Sequence, residues 1–172
     1  MENKAHLIEN NNSKLDNIFS KTISRRLKKE LLNMYELYET VIVELIQNSE
    51  NFHIIVYETK ENKQICYTFL ISVNYPFVCP TVFLNNYAYK RLLISATNYE
   101  MQSLKTLTGL DCLCCQSLTC SINWSPGYML ENIMNEINTY KQIKRNIVLK
   151  ICANKIIRKY LIEDINLDCW LF

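Results

Sequence analysis

Gly109-Leu110-Asp111-Cys112-Leu113-Cys114-Cys115-Gln116-Ser117-Leu118-Thr119-Cys120-Ser121-Ile122-Asn123-Trp124-Ser125-Pro126-Gly127-Tyr128 gathers four of the chain's eight cysteines, both glycines and one of its two tryptophans. Directly after it, Met129, Ile133 and Ile137 recur at helical spacing with Leu130 and Met134 beside them, so a helix opens after Pro126. Upstream lies a second unusual run, Tyr75-Pro76-Phe77-Val78-Cys79-Pro80. The remaining segments read as scaffolding that brings these two runs together.

Working back from Pro80, which cannot sit inside a hydrogen-bonded ladder, Thr81–Leu84 reads as a strand. Before it, Ile65–Val73 alternates Tyr67, Phe69 and Ile71 with Thr68, Leu70 and Ser72, which gives one apolar face. Phe52–Tyr57 and Thr40–Leu45 are rich in β-branched and aromatic residues, and polar turns separate them from each other and from Ile65. Short links between sequential strands predict an antiparallel four-stranded meander. Still earlier, Ile23, Leu27, Leu31 and Met34 form a helical stripe with Thr22 as its N-cap, and residues 1–19 form a polar lead-in. Residues 85–108 show no clear period. Residues 143–161 carry apolar positions among basic ones, as an amphipathic helical tail does.

At 172 residues, with 49% hydrophobic and 21% charged residues, the chain predicts one globular α+β domain over residues 20–172. Its formal charge of +2 argues against nucleic acid as the main partner. No apolar run reaches the roughly 18–20 residues that a membrane span needs. The polar N-terminus lacks a signal-peptide core, so reduced cysteines and a cytoplasmic location are expected.

The order helix, meander, Tyr-Pro-Phe-x-x-Pro, cysteine loop and Trp124-Ser125-Pro126 before a helix resembles the ubiquitin-conjugating enzymes across residues 22–138, with a divergent helical tail at 139–172. The Asn, Ile and Lys bias looks like that of such proteins from large DNA viruses, which would place it in the host cytoplasm. The resemblance implies a UBC-like fold and a cysteine that accepts ubiquitin as a thioester from an activating enzyme. Ubiquitin then passes to a lysine or to a ligase. No cofactor is implied. The family pattern I/V-C-L-x-x-L is matched best by Leu113-Cys114-Cys115-Gln116-Ser117-Leu118, which ranks Cys114 first as nucleophile, Cys112 second and Cys115 third. Such a thiol must be partly exposed and able to reach the thiolate.

Tyr89-Lys90-Arg91-Leu92 stands where the family has Tyr-His-Pro-Asn. The asparagine of that motif supports the oxyanion or organises the loop, and losing one such donor costs about 2.7–4 kcal/mol. Asn98, in an insertion spanning approximately 92–108, and Asn123 are the candidates to replace it. By position, Arg25, Arg26, Lys28 and Lys29 match the helix offered to the activating enzyme, and Ile65, Pro126 and Gly127 fall near ligase-contacting loops.

Two rival readings carry different chemistry. Cys112 and Cys115 have C-x-x-C spacing, but four cysteines within nine residues do not make two separated ligand pairs, so no metal is expected. The other rival is a catalytically silent UBC-like adaptor that binds ubiquitin or a partner conjugating enzyme, or a structural interaction protein that uses the basic tail. The histidines, His6 and His53, make no Cys-His pair in sequence.

Overall fold

Alternation in the two longest strands sets the frame. Phe52, Ile54 and Val56 are buried, as are Ile65, Tyr67, Phe69 and Ile71, while the residues between them are half-covered. The computed structural model describes residues 25–38, 40–45, 51–60, 62–95, 97–157 and 159. In it these runs are β2 (Phe52–Lys60) and β3 (Lys63–Ile71), paired antiparallel with Ile54 opposite Phe69 and Val56 opposite Tyr67. Such aromatic–aliphatic cross-strand pairs are worth roughly 0.2–1 kcal/mol each. β1 (Thr40–Leu45) flanks β2, and β4 (Thr81–Leu84) flanks β3.

The meander has five strands among the described residues rather than the expected four, in the order β1-β2-β3-β4-β5. The additional strand, β5 (Tyr87–Ala88), returns along β4 through a two-residue turn. In that turn Asn85 and Asn86 both have positive φ, 48° and 68°. That geometry matches the twist of a hairpin, and asparagine is among the few residues that adopt it readily. Asn85 also accepts the Cys66 amide at 2.8 Å, which locks the turn to β3.

Among the described residues, one helix precedes the sheet and the others follow it. α1 (Arg25–Leu37) lays Leu27, Leu31 and Met34 into the core, while Thr22, Ile23 and the expected lead-in lie outside the described residues. α2 (Tyr89–Leu93) follows β5 directly, and α3 (Asn98–Thr108) occupies the second half of the stretch in which no period was legible. Thr97 caps α3 by accepting the Glu100 amide, and Gly109, at φ 74°, closes it by donating to the Lys105 carbonyl at 2.8 Å. A short turn of helix, α4 (Leu113–Gln116), carries the cysteines.

The last described helix, α5 (Leu130–Ile157), runs unbroken for 28 residues. The expected helix after Pro126 and the described part of the expected tail are therefore one rod. Leu130, Ile133, Met134, Ile137 and Ile147 are its buried stripe, and α3 packs along it. No described helix is long and apolar enough to cross a membrane.

Candidate functional site at the cysteine turn

Gly109 ends α3 and releases the chain into the cysteine segment. Cys112 is extended, at φ −155°, and Leu113 is fully buried, so α4 is anchored by the apolar residue expected in that slot. Cys114 is half-buried against the core, and Cys115 is exposed. Cys112 and Cys114 are joined in a disulfide with their Cα atoms 5.5 Å apart, which corrects the expectation of reduced thiols throughout. The step from extended Cys112 into a helical turn sets this separation, inside the 4.4–6.8 Å span that disulfides use. The sulfurs of Cys112, Cys114 and Cys115 lie within 4.8 Å of one another, with Cys114 and Cys115 at 3.9 Å. Two of these sulfurs are spent on the disulfide, and even when reduced the group would offer three thiols, one short of a tetrahedral structural zinc site.

Two side chains hold the far end of the turn. The Glu136 carboxylate, on α5, accepts from the Ser117 hydroxyl at 2.6 Å, the Leu118 amide at 2.5 Å and the Tyr89 hydroxyl at 3.0 Å. Burial, followed by the adjacent Glu136 charge, pushes the Tyr89 hydroxyl well above the ordinary tyrosine range. Asn123 donates to the carbonyls of Cys115 at 2.7 Å and Ser117 at 3.1 Å. A side-chain amide has two N–H donors, so both are engaged on the turn. Asn123 is thus placed as an organiser of the loop rather than as an unoccupied oxyanion donor.

The two sequence runs meet at Trp124. Its indole N–H donates to the Pro76 carbonyl at 2.7 Å, and its ring lies 6.1 Å from both Tyr75 and Tyr128. Tyr75 precedes Pro76 through a cis bond and donates its hydroxyl to Glu30 at 2.7 Å. Glu30 is 4% exposed and also accepts from Arg26 at 2.9 Å and from the Leu130 amide at 3.0 Å. Arg26 reaches on to the carbonyls of Pro126 and Tyr128. A buried carboxylate thus pins α1, the Tyr75 run and the first residue of α5 together. Nothing in the sequence announced this, because Glu30 sits at the end of a basic run that reads as a solvated face.

The other sequence-predicted residues scatter. Arg25 and Lys29 are exposed on α1 and Lys28 is partly covered, whereas Arg26 is committed inside the molecule. Pro126 and Gly127 are exposed on the loop before α5. Ile65 is 8% exposed, so its side chain belongs to the core rather than to a surface contact. Asn98 begins α3, and ten residues of helix at about 1.5 Å each put it roughly 15 Å from the Thr108 end that feeds the cysteines. Its neighbour Tyr99 bonds Asn154 near the far end of α5. Asn98 thus stands at the end of α3 opposite the one that leads into the cysteine segment.

A groove of about 540 Å³ runs beside the turn, lined by residues that include Phe77, Cys79, Tyr89, Lys90, Thr119 and Trp124. Cys79 donates weakly to the Pro80 and Leu118 carbonyls, and burial pushes its thiol up to about 11, which keeps it protonated and poorly nucleophilic near neutral pH. Phe77 is 78% exposed at the rim, an apolar contact surface that the sequence reading passed over. Comparison with protein-family models, curated proteins and solved structures finds no match to the chain.

Proposed function

We propose that the protein is a divergent ubiquitin-conjugating enzyme that carries ubiquitin as a thioester on Cys114. The observation that supports this most is the Trp124–Pro76 hydrogen bond. It joins the two motif runs on which the family resemblance rests and sets the cysteine turn beside them. In the proposed reaction the Cys114 thiolate attacks the ubiquitin carbonyl held on the activating enzyme's cysteine. A new S–C bond forms and the activating enzyme's thiolate leaves. A lysine amine, or a ligase cysteine, then attacks the same carbonyl; the Cys114 thiolate departs, and an attacking amine sheds its proton to solvent. Asn123 fits the organising half of the missing asparagine's role by holding the turn. Charging requires Cys114 as a thiol, so a thiol reductant must first supply two electrons and two protons to the Cys112–Cys114 disulfide.

A second reading, a silent adaptor that binds ubiquitin or a partner conjugating enzyme, draws on the engaged Asn123 donors and on Tyr89-Lys90-Arg91-Leu92 in place of Tyr-His-Pro-Asn. A charging assay separates the two. Protein reduced and then freed of reductant is mixed with ubiquitin, activating enzyme and ATP and run on non-reducing gels. The enzyme reading expects a thiol-sensitive adduct that persists in Cys112→Ser and Cys115→Ser and disappears in Cys114→Ser. Ubiquitin binding without an adduct, from folded and reduced protein, selects the adaptor.

A further inference from the structure

A cavity whose lining contains none of the cysteines lies on another side of the sheet–helix core. It measures about 930 Å³ and opens between the β2–β3 hairpin, the Asn85 turn, α2 and the middle of α5. Its floor is apolar: Ile65, Leu84, Leu93 and Ile137 are all 8% exposed or less. Tyr89 and Tyr140 stand in its wall. Five cationic side chains line it, namely Lys60, Lys63, Lys141, Lys144 and Arg145, and no acidic residue does among the described residues.

The charge in this cavity is only partly offset. Lys60 pairs with Glu58 at 2.8 Å, and Lys144 donates to the Ile94 carbonyl at 3.0 Å. Lys63, Lys141 and Arg145 form no close ion pair among the described residues. The Lys141 ammonium is held below the ordinary lysine range, first by burial and then by the charge of Lys60, with Glu58 opposing. Like charges gathered over an apolar floor are unfavourable in the empty molecule and become favourable when an anion enters between them. The volume lies within the roughly 300–1,000 Å³ typical of small-molecule sites. A bare phosphate would satisfy the rim and leave the floor unused.

We infer that this cavity binds an organic phosphate of nucleotide size, its apolar or aromatic body on the Ile65–Leu93–Ile137 floor and its phosphates among Lys63, Lys141 and Arg145. Arginine provides the planar fork that suits phosphate oxygens, and the lysines add point charges. The inference does not depend on the thioester chemistry, since none of these cations touches the cysteine turn.

The test is a calorimetric titration of the full chain with ATP, inorganic tripolyphosphate and adenosine, without divalent metal, at two salt concentrations. Saturable one-to-one ATP binding that weakens with salt is expected, with tripolyphosphate and adenosine each at least tenfold weaker. Lys141→Glu with Arg145→Glu should weaken ATP at least tenfold. Arg25→Glu with Lys29→Glu, on the exposed face of α1, should change it less than twofold. Should the charge-reversed pair fail to fold, Lys141→Gln with Arg145→Gln, both at exposed helix positions, gives the same reading. Lack of saturable binding, equal losses in the two double variants, or tripolyphosphate matching ATP would each overturn the proposal.

Discussion

Glu30 is the residue on which the site's supports converge. A charge at 4% exposure is tolerable only because Arg26, Tyr75 and the Leu130 amide all donate to it. Glu30→Ala leaves a buried hydroxyl and a buried amide without an acceptor. Urea unfolding should then show a loss of roughly 3 kcal/mol, and Glu30→Gln, which keeps the shape and an acceptor, roughly half of that. A loss below about 0.5 kcal/mol for alanine, the scale of an ordinary surface change, would show that the network is not structural. At this scale the sequence was least informative. Leu27, Leu31 and Met34 were legible because a helical stripe needs only its own spacing. Glu30 and Glu136 were not, because apart from Arg26 the partners described for them lie between 18 and 100 residues away. The Cys112–Cys114 bond was also missed, since spacing alone does not fix which of several clustered sulfurs pair.

Among the elements, α3 links the long helix to the cysteine turn, and Gly109 is its stop. Its φ of 74° is the left-handed conformation that only glycine adopts without penalty, although there is open space around a Cβ placed there. Gly109→Ala should therefore cost about 1–2 kcal/mol through the backbone alone. Hydrogen exchange should locate the loosening at the Gly109 amide, which donates to Lys105. Exchange unchanged from wild type would show that the cap does not hold this joint. β2 and β3 were readable because period-two alternation survives burial of one face. β5 was not, although Asn85-Asn86 was a usable hairpin signal, since two residues are too few to show any period. α3 escaped because among its residues only Ser103 and Leu104 are buried, too little for a stripe.

Across the whole molecule, burial acts on the titration of several groups in one direction. The Cys79 thiol and the Tyr67, Tyr75 and Tyr89 hydroxyls are all held above their ordinary values, with burial the first cause in each. Each is neutral when protonated, so between its unfolded and folded pKa the unfolded chain has released a proton that the native protein keeps. Stability is therefore full below about pH 9, where Cys79 first contributes, and falls further as pH passes 10, where the tyrosines join. Urea midpoints measured from pH 8 to 11 should decline along that course, and Tyr75→Phe and Tyr89→Phe should flatten it. A flat profile in the wild type would show that these groups are not buried as described.

The same Glu30 contacts bear on the order of folding events. They close loops of 45 and 100 residues, joining α1 to parts of the chain that adjacent strand pairing alone cannot bring near. Chain entropy makes such long closures late, after the meander has formed from its short links. Removing them should therefore leave the refolding rate almost unchanged and speed unfolding by most of the equilibrium loss. Glu30 thus acts as a latch on the finished structure, governing how long the native state lasts rather than how fast it is reached.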